Sequence, residues 1–241
     1  MIYQIKKIVK GIVFKFIKVN PTLKYNSYSQ AGEDMILNFL FQTMQLKDIS
    51  YIDIGANKPD FGNNTYKFYL EGYKGISIEP DYELYCKFRD MRPRDISLNI
   101  AIGFDHTKQA DLYVFNEPSL NTLSKEEAER RDAIGEYKIV NVVPVKVMLL
   151  AEIIDRYCTK LPTYISLDVE GIDFEILKTL DFKKYPVPVL IVETIEYSIN
   201  HIKTKIHDII IYMKESGYFV YADTYVNTIF VHQSWFLNYN G

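Results

Sequence analysis

Apolar positions along this chain follow two different rhythms. Short runs such as Tyr51-Ile52-Asp53-Ile54, Gly75-Ile76-Ser77-Ile78, Thr163-Tyr164-Ile165-Ser166-Leu167 and Val189-Leu190-Ile191-Val192 are largely apolar and end in acidic or small residues. Runs of this length read as strands buried on both faces. Further strands are expected at residues 96–102, 111–115, 137–147, 218–225 and 228–232. Between them, apolar residues recur three or four apart, as in helices that cover a sheet. The spacing predicts helices over residues 33–46, 81–91, 149–157, 173–180 and 202–216, the last capped by Gly217, and a short aromatic helix closed by Gly72. Glu33 and Asp34 favour a helix start by opposing the helix dipole. Residues 116–135 are the least regular. Ser124-Lys125-Glu126-Glu127 opens a short charged helix there with a capping-box pattern, and polar segments of this kind are where substrate loops lie. Strands alternating with helices predict an α/β fold with a mostly parallel sheet.

Residues 1–19 have a separate character. Ile5, Ile8, Val9, Ile12, Val13, Phe16 and Ile17 recur at helical spacing, Lys6, Lys7, Lys10, Lys15 and Lys18 fill much of the remaining surface, and Asn20-Pro21 ends the pattern. Residues 1–32 hold six Lys and no acid, so against a whole-chain charge of −3 the remainder carries −9. Such a helix either lies on an anionic membrane surface or docks on its own domain or a partner subunit. The expected organisation is a basic helix and connector over residues 1–26, then one domain over 27–241.

Composition narrows the class. A chain of 241 residues with 48% hydrophobic and 24% charged residues fits one large soluble α/β domain. Cys86 and Cys158 lack metal-type neighbours and read as buried free thiols in a reducing compartment. No signal peptide and no apolar run of spanning length is visible, so the expected location is cytoplasmic, with peripheral membrane contact through residues 1–19. Tyr is abundant, at 20, which suits a sugar-binding cleft and equally suits ordinary strands.

The chemistry gathers where strands end. After Tyr51-Ile52-Asp53-Ile54 the turn Gly55-Ala56-Asn57 carries little side chain, so a ligand can approach the backbone. Asp53 near the end of one strand and Glu79 ending the next propose a site for an adenosine-containing ligand, the second acid reaching the ribose hydroxyls. A dinucleotide is disfavoured. The turn Gly55-Ala56-Asn57-Lys58-Pro59-Asp60 lacks the second glycine of G-x-G-x-x-G, and Pro59 has no amide hydrogen for a phosphate. A cationic cofactor without phosphates, S-adenosylmethionine, suits these acids better. Solvated acids on an ordinary strand-turn-helix are the alternative. Downstream, Leu167-Asp168-Val169-Glu170-Gly171 and Val192-Glu193 deliver three more carboxylates to the same sheet edge. His106, His201, His207 and His232 show no zinc spacing, and His106, soon after the third strand, is a reserve candidate for a base.

Taken in order, Ser29-Gln30-Ala31-Gly32-Glu33-Asp34, Asp53-Ile54-Gly55-Ala56-Asn57, Asn64-Thr65-Tyr66, Lys74-Gly75-Ile76-Ser77-Ile78-Glu79-Pro80 and Leu167-Asp168-Val169-Glu170-Gly171 resemble the FkbM family of S-adenosylmethionine-dependent methyltransferases over about residues 27–232. The resemblance implies the class I methyltransferase Rossmann-like fold, with seven mostly parallel strands, one antiparallel strand near the end, and flanking helices. It also implies O-methylation, often of a sugar or glycan hydroxyl. The expected partner is thus a sugar or glycan acceptor and not nucleic acid. By position, Asp53, Gly55, Ala56 and Asn57 would form the cofactor loop, and Glu79, followed by Pro80, would bind the ribose. Ser29, Gln30 and Asp34 would close the methionine end, while Asp168 and Glu170 would face the transfer site. Lys58-Pro59 departs from the acid and glycine that many members carry there. The expected reaction is displacement at the sulfonium methyl by a carbohydrate hydroxyl, with Asp168 or Glu170 as base. Alternatively Asp168 and Glu193 hold a magnesium-like cation that acidifies the hydroxyl. The rival expectations are a non-catalytic glycan-assembly partner and a nicotinamide-dependent oxidoreductase.

Overall fold

The structure is a computed structural model that describes residues 26–195 and 204–239. The basic helix expected over residues 1–19, and His201, lie outside the described residues. In chain order the strands are β1 (Ser50–Ile54), β2 (Lys74–Ile78), β3 (Ile96–Leu98), β4 (Ala101–Gly103), β5 (Gln109–Phe115), β6 (Ile139–Leu149), β7 (Tyr164–Leu167), β8 (Val189–Glu193), β9 (Tyr218–Asp223) and β10 (Asn227–His232). The α-helices are α1 (Glu33–Thr43), α2 (Tyr66–Leu70), α3 (Tyr82–Met91), α4 (Lys125–Ile134), α5 (Leu150–Tyr157), α6 (Asp173–Thr179), α7 (His207–Glu215) and α8 (Gln233–Tyr239).

Seven strands form one sheet in the order β3-β2-β1-β7-β8-β10-β9. All neighbours pair in parallel except β10, which runs antiparallel to both β8 and β9. This is the sheet that the family resemblance implies, and alternate residues along its strands are buried on its two faces. Ile52, Ile54, Ile165, Leu167, Leu190 and Val192 point into one core, where Ile153 and Ile154 of α5, Ile176 and Leu177 of α6, and Ile209 and Met213 of α7 cover them. Tyr51, Tyr164, Val189 and Ile191 point to the other side and meet Leu37, Leu40 and Phe41 of α1 and Phe68 of α2. Both faces are therefore covered, which parallel strands require.

Several elements differ from expectation. The run over residues 96–102 is two strands in two sheets, not one. Asn99 Nδ2 donates to the carbonyls of Glu79 and Pro80, at 3.0 and 2.8 Å, and holds the chain where it leaves β3 at the end of β2. The following β4 then joins a second sheet of order β4-β6-β5. Helix α7 begins at His207 because Lys205 is still bridged to Ile195. Helix α8 follows β10 directly and had no clear signal in its aromatic sequence. Cys86 and Cys158 are free but half-buried, not fully buried. Among the described residues, no helix is long and apolar enough to cross a membrane.

Candidate active site

The carboxyl ends of β1, β2 and β7 open into a cavity of about 440 Å³. Its wall includes Ser29, Gln30, Asp53, Gly55, Ala56, Asn57, Glu79, Pro80, Asp168 and Glu170, so the topology gathers most of the acids and small residues singled out from the sequence. Parallel register is the reason: Asp53 stands opposite Ser77 and Ser166 on the flanking strands, and residues just beyond each strand end emerge on one edge.

Glu79 is buried, and both of its carboxylate oxygens are engaged. The Asn57 amide donates to Oε2 and the Asp81 amide to Oε1, each at 2.8 Å. Burial nevertheless outweighs these bonds and pushes the carboxyl up to about 8. Asp53 is also buried. Its Oδ2 accepts from Asn63 Nδ2 at 2.9 Å and Thr65 Oγ1 at 2.8 Å, and burial raises its pKa against the opposing pull of Arg92. Gly55, which lines the cavity, also has a packing task. It adopts φ +70°, and a methyl group there would lie 1.8 Å from the Asp168 carbonyl oxygen. The Gly55 and Ala56 amides both point to the Ile78 carbonyl, so the turn ties β1 to β2 and lets the β7 end pack against it.

The residue that sequence reading missed is Arg92, at the carboxyl end of α3. It is wholly buried, yet it pairs with Asp95 at 2.7 Å, donates to Tyr51 Oη and Thr65 Oγ1 at 2.9 Å, and reaches Asn63 Oδ1 and the Pro59 carbonyl. Asn63 and Thr65 are the two groups that hold Asp53, so Arg92 braces that carboxylate from behind the cavity. Its only sequence signal is an Arg three residues before an Asp.

Asp34 is not among the residues lining the cavity. It is buried at the start of α1 and accepts from Ser27 Oγ and the Tyr28 amide at 2.7 Å and from Ser29 Oγ at 3.0 Å. Its action on the cavity therefore passes through Ser29. Glu33 does more than open a helix. It accepts from the Ala31 amide, Thr224 Oγ1 and Asn227 Nδ2, which fastens this segment to the β9–β10 turn. Burial would raise its pKa, but these hydrogen bonds outweigh it and hold the carboxyl below its ordinary value.

On the other side, Asp168, Glu170 and Glu193 converge, with one carboxylate oxygen of each within 4.8 Å of the others. Glu193 does not line the cavity itself but stands beside the two that do. The irregular segment after β5 covers this end. Arg131 of α4 donates to Glu170 Oε2 at 2.7 Å, Thr122 Oγ1 donates to the Glu170 carbonyl at 2.9 Å, and Asn121 Nδ2 reaches Asp81 at 3.2 Å. Glu117, Pro118 and Ser119 complete the wall. Ser124 caps α4, its Oγ accepting from the Glu127 amide at 3.2 Å, while its own amide donates to Thr122 Oγ1 at 3.0 Å, so the structure shows the N-cap half of the expected capping box. His106 is exposed in the bend after β4 and does not line the cavity. His207 opens α7, and His232 packs its ring on Tyr218.

Residues 53–220 match the model of the methyltransferase FkbM domain. The chain belongs to this family. It is an S-adenosylmethionine-dependent methyltransferase. The fold of this methyltransferase is also similar to two solved structures. One is the TehB-like SAM-dependent methyltransferase from Corynebacterium glutamicum ATCC 13032 Kitasato, 8% identical, covering 95% of this chain and 97% of that one at a TM-score of 0.41. The other is the glycopeptide N-methyltransferase MtfA complexed with sinefungin, 9% identical, covering 86% and 89% at a TM-score of 0.37. No curated protein matches. The cavity of the methyltransferase fits a cationic cofactor. Asp53, Glu79, Glu117, Asp168 and Glu170 line it against a single cation, Lys58. Asn64 in its wall also keeps a buried Oδ1 without a hydrogen-bond partner among the described residues.

Proposed function

We propose that this methyltransferase methylates a hydroxyl of a carbohydrate, in a glycan or a sugar precursor. Bound S-adenosylmethionine supplies an electrophilic methyl group on a sulfonium. Glu79 would take the ribose hydroxyls, flanked by Pro80. Asp53, Gly55, Ala56 and Asn57 would shape the floor beneath the cofactor. Ser29 and Gln30 would line the methionine end, with Asp34 fixing Ser29. The convergence of Asp168, Glu170 and Glu193 carries the O-methylation reading. A sugar hydroxyl is a weak nucleophile, and its proton needs an acceptor as the new bond forms. Asp168 takes that proton. Glu170, paired with Arg131, and Glu193 orient the acceptor and sustain the negative field. The test is transfer of labelled methyl from S-adenosylmethionine to a panel of neutral and charged glycans, with the product position located by NMR. Label on a ring or side-chain hydroxyl supports the proposal. Label on nitrogen alone overturns it, and cofactor binding without turnover across the panel favours the glycan-assembly partner.

The same convergence favours a second reading in which the three carboxylates share a divalent, magnesium-like cation that lowers the hydroxyl pKa. In the same assay, loss of transfer with EDTA and recovery with magnesium selects this reading. An unchanged rate selects Asp168 as an unaided base.

A further inference from the structure

The mouth of the cavity carries a feature to which the proposed function assigns no role. Residues 58–62 form a loop whose two ends are fixed. The Asn57 amide is bound to Glu79, the Pro59 carbonyl accepts from Arg92 Nη1 at 3.4 Å, and the Asn63 amide donates to the Tyr28 carbonyl at 2.8 Å. Pro59 is buried, so the loop is pinned at its middle as well. On this braced loop Phe61 is 76% exposed and lines the cavity. A Phe ring held out in water by an anchored loop is unfavourable in the free protein, and at a pocket mouth it marks a contact surface. Lys58, on the same loop, is exposed and is the single cation among the lining residues. Among the described residues it makes no ion pair. Asp60 beside it is exposed but does not line the cavity. In a cavity whose other charged lining residues are all acids, one unpaired ammonium at the rim is placed to offset the charge of an anionic ligand entering there.

We propose that Phe61 and Lys58 form the acceptor subsite, and that the acceptor is a sugar bearing an anionic group. Phe61 offers its ring face to the apolar face of the sugar ring, and Lys58 holds the anion. The inference rests on the carbohydrate reading above and deepens it. A carboxylate and a phosphate ester share the required chemistry, and the test separates them.

Saturation-transfer NMR on the full chain with S-adenosylhomocysteine present uses glucose, glucuronate and glucose 6-phosphate as probes. Stronger transfer to one or both anionic sugars than to glucose is expected, and the stronger of the two identifies the anion. Phe61→Ala should weaken that binding about fivefold. Lys58→Ala should abolish the preference over glucose, and Lys58→Arg should restore it. Equal signals from all three sugars overturn the anionic assignment and leave the carbohydrate reading standing. A preference unchanged in both Phe61→Ala and Lys58→Ala places the subsite elsewhere. No signal from any sugar, in a protein that still binds S-adenosylhomocysteine, removes the carbohydrate reading itself.

Discussion

The two halves of the cavity treat their carboxylates in opposite ways. At the β1 and β2 ends, Asp53 and Glu79 are buried, and four neighbouring groups already donate to them: Asn63, Thr65 and the Asn57 and Asp81 amides. At the β7 and β8 ends, Asp168, Glu170 and Glu193 are only partly buried and crowd together. Crowded acids repel one another unless a proton, a cation or a positive side chain lies among them, and Arg131 supplies one such charge. The first half is rigid and built in advance, as suits a constant cofactor. The second is held by the irregular segment of residues 116–135 and gathers the three carboxylates to which the proposed function gives the chemistry. Stability and cofactor affinity should therefore be sensitive to the first half, and turnover to the second.

Removing the brace should produce the largest effect. Arg92→Ala leaves Asp95 and Asp53 buried without their cation, which should cost about 5 kcal/mol and show as a large drop in the denaturant midpoint. If Arg92→Ala unfolds no more easily than the parent, the first half is not prebuilt.

Next comes Asp168→Asn, in the second half. It should lower kcat about a thousandfold while leaving cofactor affinity within about threefold. An equal loss of cofactor affinity would mean that the two halves do not divide the work.

The smallest effect belongs to Glu79→Gln, which should weaken S-adenosylmethionine binding by about 2 kcal/mol. It also carries a pH signature. Burial raises the Glu79 carboxyl from an ordinary 4.5 to about 8 in the ligand-free protein. The folded state therefore favours the neutral form. This contribution to stability is complete below about pH 4.5 and is lost as pH rises toward about 8. Thermal melts without cofactor should show that decline, and Glu79→Gln should flatten it. Hydroxyls donating to Glu79 favour its charged form, so cofactor binding should release a proton, measurable by calorimetry in two buffers of different ionisation enthalpy. Parallel slopes in parent and variant would remove Glu79 from the first half.

Most of the strands follow from local pattern. Runs such as Val189-Leu190-Ile191-Val192 must be covered on both faces, and segments with helical spacing lie between them to do it. Acids at the ends of such strands emerge on one edge because the strands are parallel, and this placed Asp53, Glu79, Asp168 and Glu170 around one cavity. What each acid does there is not a local property. Arg131 meets Glu170 across 39 positions, Glu33 meets Asn227 across 194, and Arg92 meets Thr65 across 27, with no periodicity to announce them. Residues 96–102 read as one strand because each residue suits a strand, yet Asn99 sends the two halves into different sheets by binding carbonyls near residue 80. Periodicity records which way a side chain faces within its own element. Burial of a charge depends on partners that only the folded chain brings within hydrogen-bond distance, so the elements were legible in the sequence and the division of labour among the carboxylates was decided by the tertiary structure.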